Sequence, residues 1–268
     1  MNWQLLNVQI EDEIAYITLN RKEKLNAFNF AMFQEMAQVI RWLHKQHAIR
    51  VVVLAGAGGN FSSGLDVKSV TKSPWQVVKL LFKWLPGNAN LAQRVSIGWQ
   101  RLPMPVIAVI EGRCYGAGMQ VVLGADVRIA APDSELSIME AKWGLVPDMA
   151  GLVGLRQVMT KDKAMLLSLS AEVIAAKEAL SLGLVTQIAD NPMAQAKTLA
   201  EQIKATSPDA AAAIKLSINR SWSASIRSLL ARESWSQVRL LLGKNRIIAA
   251  IRQTKDPLKS YVNRQPWW

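Results

Sequence analysis

The chain has 268 residues, half of them hydrophobic, which is enough for one sizeable buried core. Its 32 Lys and Arg side chains outweigh 20 Asp and Glu, for a formal net charge of +12. The single cysteine, Cys114, excludes an internal disulfide and a Cys-rich zinc site, and no apolar run reaches the roughly 18 residues of a membrane-spanning helix.

The opening stretch, MNWQLLNVQIEDE, lacks the basic-then-apolar pattern of a signal peptide, so a cytoplasmic protein is expected. DEIAYITLN (12–20) has strand composition and is followed by a polar turn, RKEKLN. FNFAMFQEMAQVIRWLHKQ (28–46) places Phe33, Met36, Ala37, Ile40 and Leu43 on one helical face. The chain's two histidines, His44 and His47, lie at the end of this helix and read as surface or packing residues and not as a metal pair. RVVVLAG (50–56) and MPVIAVIEG (104–112) read as buried strands. Between them lie a loop, AGGNFSSGLD (57–66), and a break in the alternation at 68–100, where Trp75, Phe82 and Trp84 stand among lysines. That break suits a packed helix, with a pocket wall, a lid or a membrane contact as alternatives. GAGMQVVLGA reads as a helix and DVRIAA (126–131) as a strand; from about 190 onward only helical patterns occur. Strands alternating with helices predict an α/β core with both sheet faces covered.

The basic excess is uneven. Residues 201–268 hold 12 basic and 4 acidic side chains. This suits an anionic partner, whether nucleic acid, membrane surface or a multiply phosphorylated small molecule, or simply a solvated face. No nucleic-acid motif is present.

Two glycine clusters imitate nucleotide-binding fingerprints and fail. VVVLAGAGGNF has Phe61, and GAGMQV has Val121, where a third glycine is required, and neither carries a Walker lysine. There is no G-x-S-x-G elbow either. What remains is a pair of glycine loops, at Gly64 and at Gly116–Gly118, each following a buried strand. Two backbone N–H groups aimed at one point, beside a helix N-terminus, would form an oxyanion hole. Farther on, Glu140 and Asp148 lie in a largely apolar stretch and are candidate general acids and bases.

The pieces LNRKEKLNAF (19–28), NFSSGLDVK (60–68), MPVIAVIEGRCYGAGMQVVLGADVRIAAPDSELSIMEAKWGLVPDMAG (104–151) and SAEVIAAKEALSLGLVTQI (170–188), in this order and spacing, resemble the crotonase family, the enoyl-CoA hydratases and isomerases. The resemblance runs from about residue 10 to 190. It implies an α/β fold, a crotonase-like spiral of ββα units with a C-terminal helical region. Residues 1–190 would then be the acyl-CoA-binding core, and 191–268 a helical trimerisation or lid region.

The resemblance further implies binding of an acyl-coenzyme A thioester and stabilisation of its enolate, with coenzyme A as part of the substrate, no separate cofactor and no metal. The N–H groups of Leu65 and Ala117 would hold the enolate oxygen, and Gly64, Gly116 and Gly118 would shape the loops. Asp66 would be structural. Lys22, Lys24 and Ala27 would lie near the nucleotide and pantetheine, giving the basic excess a partner. Homotrimers or pairs of trimers are implied as well. A nucleic-acid partner is not expected and a peripheral membrane contact is an unsupported alternative; the basic C-terminal part and the terminal NRQPWW keep an RNA- or membrane-associated member of the family open as a further class.

The resemblance also isolates one departure. Hydratases of the family carry a glutamate where this chain has Gln120 and another where it has Glu140. An amide can orient a water but does not exchange a proton at neutral pH. Simple enoyl-CoA isomerases retain only the later glutamate; dienoyl-CoA isomerases carry acids matching Glu140 and Asp148 but also an aspartate where Gln120 stands, so that match is partial. The expected reaction is therefore double-bond isomerisation of an enoyl- or dienoyl-CoA, with Glu140, assisted by Asp148, moving the proton. Gln120 would orient substrate or water, and Trp143 would wall the acyl pocket or fill core. Two alternatives are an enoyl-CoA hydratase in which Gln120 positions the water, and a non-catalytic acyl-CoA-binding protein.

Overall fold

A computed structural model describes residues 3–268. Strands β1 (Leu6–Glu11) and β2 (Ile14–Leu19) form an antiparallel hairpin, whose turn at Asp12 and Glu13 takes positive φ. A 3-10 turn at Lys22–Lys24 leads to α1 (Phe30–His44), capped by Asn29, whose side chain accepts from Met32 N. Then follow β3 (Val51–Gly56), α2 (Val67–Thr71), α3 (Pro74–Leu81), α4 (Leu91–Arg101), β4 (Val106–Ile110), β5 (Arg113–Tyr115) and α5 (Ala117–Val122). Next come β6 (Val127–Ala130), β7 (Glu135–Ser137), α6 (Gly151–Val158), α7 (Lys161–Ser170), β8 (Ile174–Ala175), α8 (Ala176–Ser181) and β9 (Gln187–Ile188). Four helices end the chain: α9 (Pro192–Lys204), α10 (Pro208–Ser221), α11 (Ile226–Leu241) and α12 (Lys244–Thr254).

The main sheet has the order β1-β2-β3-β4-β6-β9 and is parallel from β2 onward. Its central strands are buried on both faces, as the unbroken apolar runs VVVLAG and VIAVI require. One face packs on α1, α4 and α5 through Phe33, Met36, Val95, Trp99 and Met119. On the other, Val51, Val53, Ile107 and Ile129 meet Ala196 and Ala200 of α9. The expected boundary at 190 thus falls just before a helix that packs on the sheet itself.

A second, smaller sheet, β5-β7-β8, was not legible as strands. Single bridges extend it, pairing Ser62 with Cys114 and Phe28 with Leu65. The chain therefore repeats one path: a long strand in the large sheet, a short extended piece in the small sheet, then a helix. The sequences β2–Phe28–α1, β3–Ser62–α2 and β4–β5–α5 are successive turns of this ββα spiral, the expected α/β fold class. Among the described residues, no helix is long and apolar enough to cross a membrane.

The 68–100 break resolves into two kinds of helix. Helix α4 is packed, with Val95 and Trp99 fully buried. Helix α3 and its following turn are not: Trp75, Phe82 and Trp84 are exposed, Trp84 by 87%.

Candidate active site

The small sheet brings the two glycine loops together. In the parallel bridge between Phe28 and Leu65, Phe28 N donates to the Gly64 carbonyl and Asp66 N donates to the Phe28 carbonyl. Alternation along an extended strand turns Leu65 N–H the other way, away from its bonded neighbours. Ala117 is the first residue of α5 and follows Gly116 at φ 47°, so its N–H has no acceptor within the helix. The loops approach closely: a Cβ on Gly64 would lie 3.9 Å from Ala117 N and 3.2 Å from the Tyr115 carbonyl oxygen. A Cβ on Gly118 would lie 2.7 Å from Ser62 Cβ. Glycine at 64 and 116 also meets a backbone requirement, since both have positive φ.

The Leu65 and Ala117 loops border a cavity of about 120 Å³, lined also by Gln120, Glu140, Trp143, Leu145 and Asp148. Of the residues expected at the acyl end, all but Gly118 line this one cavity. Trp143 is 63% exposed, which removes the core-filling alternative and leaves it at the cavity wall.

Glu140 is 9% exposed and begins a 3-10 turn, Glu140–Trp143. Its Oε1 accepts from Gln120 Nε2, while its Oε2 has no partner among the described residues. A buried carboxylate oxygen without a partner calls for a reason. Burial raises the Glu140 pKa, and the nearby Asp148 charge adds to this against the lowering effect of the Gln120 bond. Asp148 sits at the cavity mouth, and loss of solvation raises its pKa too.

Gln120 is 1% exposed and fully engaged at its oxygen. Oε1 accepts from Met149 N at 2.8 Å and Gly151 N at 3.1 Å, and Nε2 donates to Glu140. Both oxygen lone pairs are taken, so the amide has no acceptor left for a water. Gly151 permits this approach, because a Cβ there would lie 2.6 Å from Gln120 Oε1.

The residues expected on the coenzyme side lie on an adjoining strap. Lys22 and Lys24 are exposed on the 3-10 turn, and Ala27 is buried at its end. Ser63, in the cavity wall, ties the strap down: its N–H donates to the Leu25 carbonyl and its hydroxyl to that of Lys24. Asp66 pairs with Arg21 at 2.8 Å and caps α2 through Ser69 N, a structural pattern.

Two residues escaped notice in the sequence. Asn26, fully buried at φ 54°, donates to the carbonyls of Ala57 and Asn60, both at 2.8 Å. Ser62 Oγ donates to the Asn26 carbonyl and accepts from Gly64 N. Together they lock the strap to the Gly64 loop. The only available signal was their polarity between apolar segments. Among the described residues, no three His, Cys, Asp or Glu side chains converge to hold a metal ion.

Comparison with known proteins decides the class. The sequence model described as Enoyl-CoA hydratase/isomerase matches residues 9–240. The chain belongs to the enoyl-CoA hydratase/isomerase family. Family relatives include the 1,2-epoxyphenylacetyl-CoA isomerase of Escherichia coli, 32% identical over 68% of this chain and 68% of that protein. The short-chain-enoyl-CoA hydratase of Clostridium acetobutylicum is 30% identical over 86% of this chain and 88% of its own. The mitochondrial Delta(3,5)-Delta(2,4)-dienoyl-CoA isomerase of Rattus norvegicus is 29% identical over 81% and 69%. Among solved family structures, the enoyl-CoA hydratase of Mycobacterium tuberculosis superposes with a TM-score of 0.85 at 28% identity, over 96% of this chain and 98% of that one. Hydratases and isomerases both appear among these relatives, so the reaction has to be argued from the site.

Proposed function

We propose that the protein is an acyl-CoA enzyme that isomerises the double bond of an enoyl- or dienoyl-CoA. The observation that carries this reading is the cavity's single buried carboxylate. Glu140 lines the same cavity as the two glycine loops and has one oxygen bonded to Gln120 and one without a partner, with no second carboxylate at position 120.

The thioester oxygen accepts from Leu65 N–H and Ala117 N–H. Glu140 Oε2 takes a proton from the carbon α to the thioester; the C–H electrons move into the conjugated system and the oxygen gains negative charge. Two preorganised donors stabilise that charge more than they stabilise the neutral carbonyl. The proton returns from Glu140 or from Asp148, at the γ carbon of a 3-enoyl-CoA or at the ε carbon of a 3,5-dienoyl-CoA, and the double bond moves into conjugation with the thioester. A raised pKa suits Glu140 to both halves, since it can release the proton it has taken. Lys22 and Lys24 meet the coenzyme A phosphates, and Trp143 borders the acyl chain. Gln120 acts as a positioning residue, aiming Glu140 and anchoring the Met149–Gly151 turn.

Hydration requires a water held by two groups able to exchange protons, and Gln120 supports that poorly. The test incubates the protein separately with 2-enoyl-, 3-enoyl- and 3,5-dienoyl-CoA, following products by chromatography and mass. Conversion without mass change supports isomerisation. Gain of one water overturns it in favour of a hydratase, and tight binding of every substrate without product overturns it in favour of an acyl-CoA-binding protein.

A further inference from the structure

A second concavity, of about 620 Å³, lies between α1, α4, α10 and α11 and shares no lining residue with the Glu140 cavity. Its floor is apolar, made by Ala37, Ile40, Ile97 and Gly98. Glycine is needed there: a Cβ on Gly98 would lie 3.0 Å from Ile40 Cγ2. Its polar lining is basic, with Arg41, His44, Arg94, Arg101, Arg220 and Arg232, beside two neutral amides, Gln100 and Asn219. No carboxylate lines it, and the ion pairs found among the described residues involve none of these arginines. Arg232 is tethered through Nε to Ser221 Oγ at 2.7 Å.

The charges are close enough to act on one another. Burial, then Arg232, Arg101 and Arg239, pull the Arg220 pKa down, and burial with Arg264 and Arg220 does the same to His44. Arg220 and Arg232 also border a neighbouring groove containing Trp235, Arg239, Trp267 and Trp268. There the Arg239 guanidinium lies 5.3 Å from the Trp235 ring centre and 5.6 Å from that of Trp268. Arginines converging without acids make a focused positive potential. Their planar forks match phosphate oxygens two at a time. The volume is that of a small-molecule site and exceeds what a bare ion fills.

We propose that this cleft binds an organic polyphosphate, its phosphates on the arginine rim and its less polar body on the floor of Ala37, Ile40, Ile97 and Gly98. The site is distinct from the coenzyme strap. Lys22 and Lys24 precede the N-terminus of α1, whereas Arg41 and His44 lie at its C-terminal end, about 20 Å along the helix. The inference does not depend on the reaction assigned above. The basic segment 201–268 supplies Arg220 and Arg232 to the rim.

The test titrates the full chain with ATP and, separately, with inorganic tripolyphosphate at physiological salt by calorimetry. Saturable binding is expected, tighter for ATP. Arg101→Gln and Arg220→Gln should each weaken ATP at least about tenfold, whereas Lys22→Gln with Lys24→Gln should leave it unchanged. Both arginines are exposed, and the melting temperature of each free variant reports its fold. Arg41→Gln serves as the substitute should either melt early. Absence of saturable ATP binding overturns the proposal. So does ATP binding no tighter than tripolyphosphate, or loss through the lysine changes but not the arginine changes. A cleft that takes a duplex oligonucleotide but not ATP overturns it as well.

Discussion

At the scale of single residues, Glu140 and Gln120 form one unit. Glu140→Gln should cut isomerisation by about 10²–10⁴-fold while coenzyme A binding survives, measured as turnover against direct titration of the ligand. The same substitution has a stability consequence. The folded-state pKa of Glu140 is raised, so the folded protein holds this proton more tightly than the unfolded chain does. That contribution is full below the ordinary carboxylate pKa and is lost as pH rises through the raised one. Glu140→Gln should therefore raise the melting temperature more at neutral than at acid pH, and an equal shift at both would contradict the burial argument. Gln120→Leu keeps the volume but removes a hydrogen bond that holds the Glu140 pKa down. The acid limb of the pH–rate profile should move to higher pH, and kcat should fall more than KM rises. A purely structural Gln120 would leave the profile in place.

At the scale of elements, the short β-bridges and their glycines govern the two N–H donors. In Gly118→Ala the new methyl meets Ser62 Cβ at 2.7 Å, within a fully buried contact. The loops must separate, with an expected cost of about 1–3 kcal/mol in chemical denaturation and a drop in kcat as the donors diverge. Strands β2, β3, β4 and β6, α1 and the helix after Gly116 were legible because apolar runs and 3.6-residue periodicity announce them without reference to anything distant, whereas β1, mostly exposed along its length, was not read as a strand. The β5-β7-β8 sheet was not legible either. Strands of two or three residues carry too little pattern, and their pairing with Ser62 and Cys114 joins positions far apart in the chain. Asn26 was overlooked for the same reason, since its partners at Ala57 and Asn60 are more than thirty residues away.

At the scale of the whole molecule, the C-terminal helices are tied to the core by a buried cation. Lys215 Nζ of α10 lies 2.7 Å from Asp126 and donates to the carbonyls of Trp99 and Met104, both at 2.9 Å. Lys215→Ala leaves Asp126 and both carbonyls without that partner and should cost about 3–5 kcal/mol, read by denaturant unfolding. Adding Asp126→Asn should recover part of the loss, because the uncompensated charge is then gone.

The sequence by itself determined the alternation of strands and helices, the two glycine loops with their oxyanion reading, the candidate pair Glu140 and Asp148, and the family resemblance. These follow from local composition, spacing and motif order. Only the tertiary structure decided what Gln120 bonds to, because Met149 and Gly151 lie 29 and 31 residues away. Only the fold could gather arginines from α1, α4, α10 and α11 around one cleft without a carboxylate among them. The physical reason is common to both cases. Hydrogen-bond saturation and electrostatic neighbourhood depend on distances through space, and one-dimensional spacing does not encode those until the chain has packed.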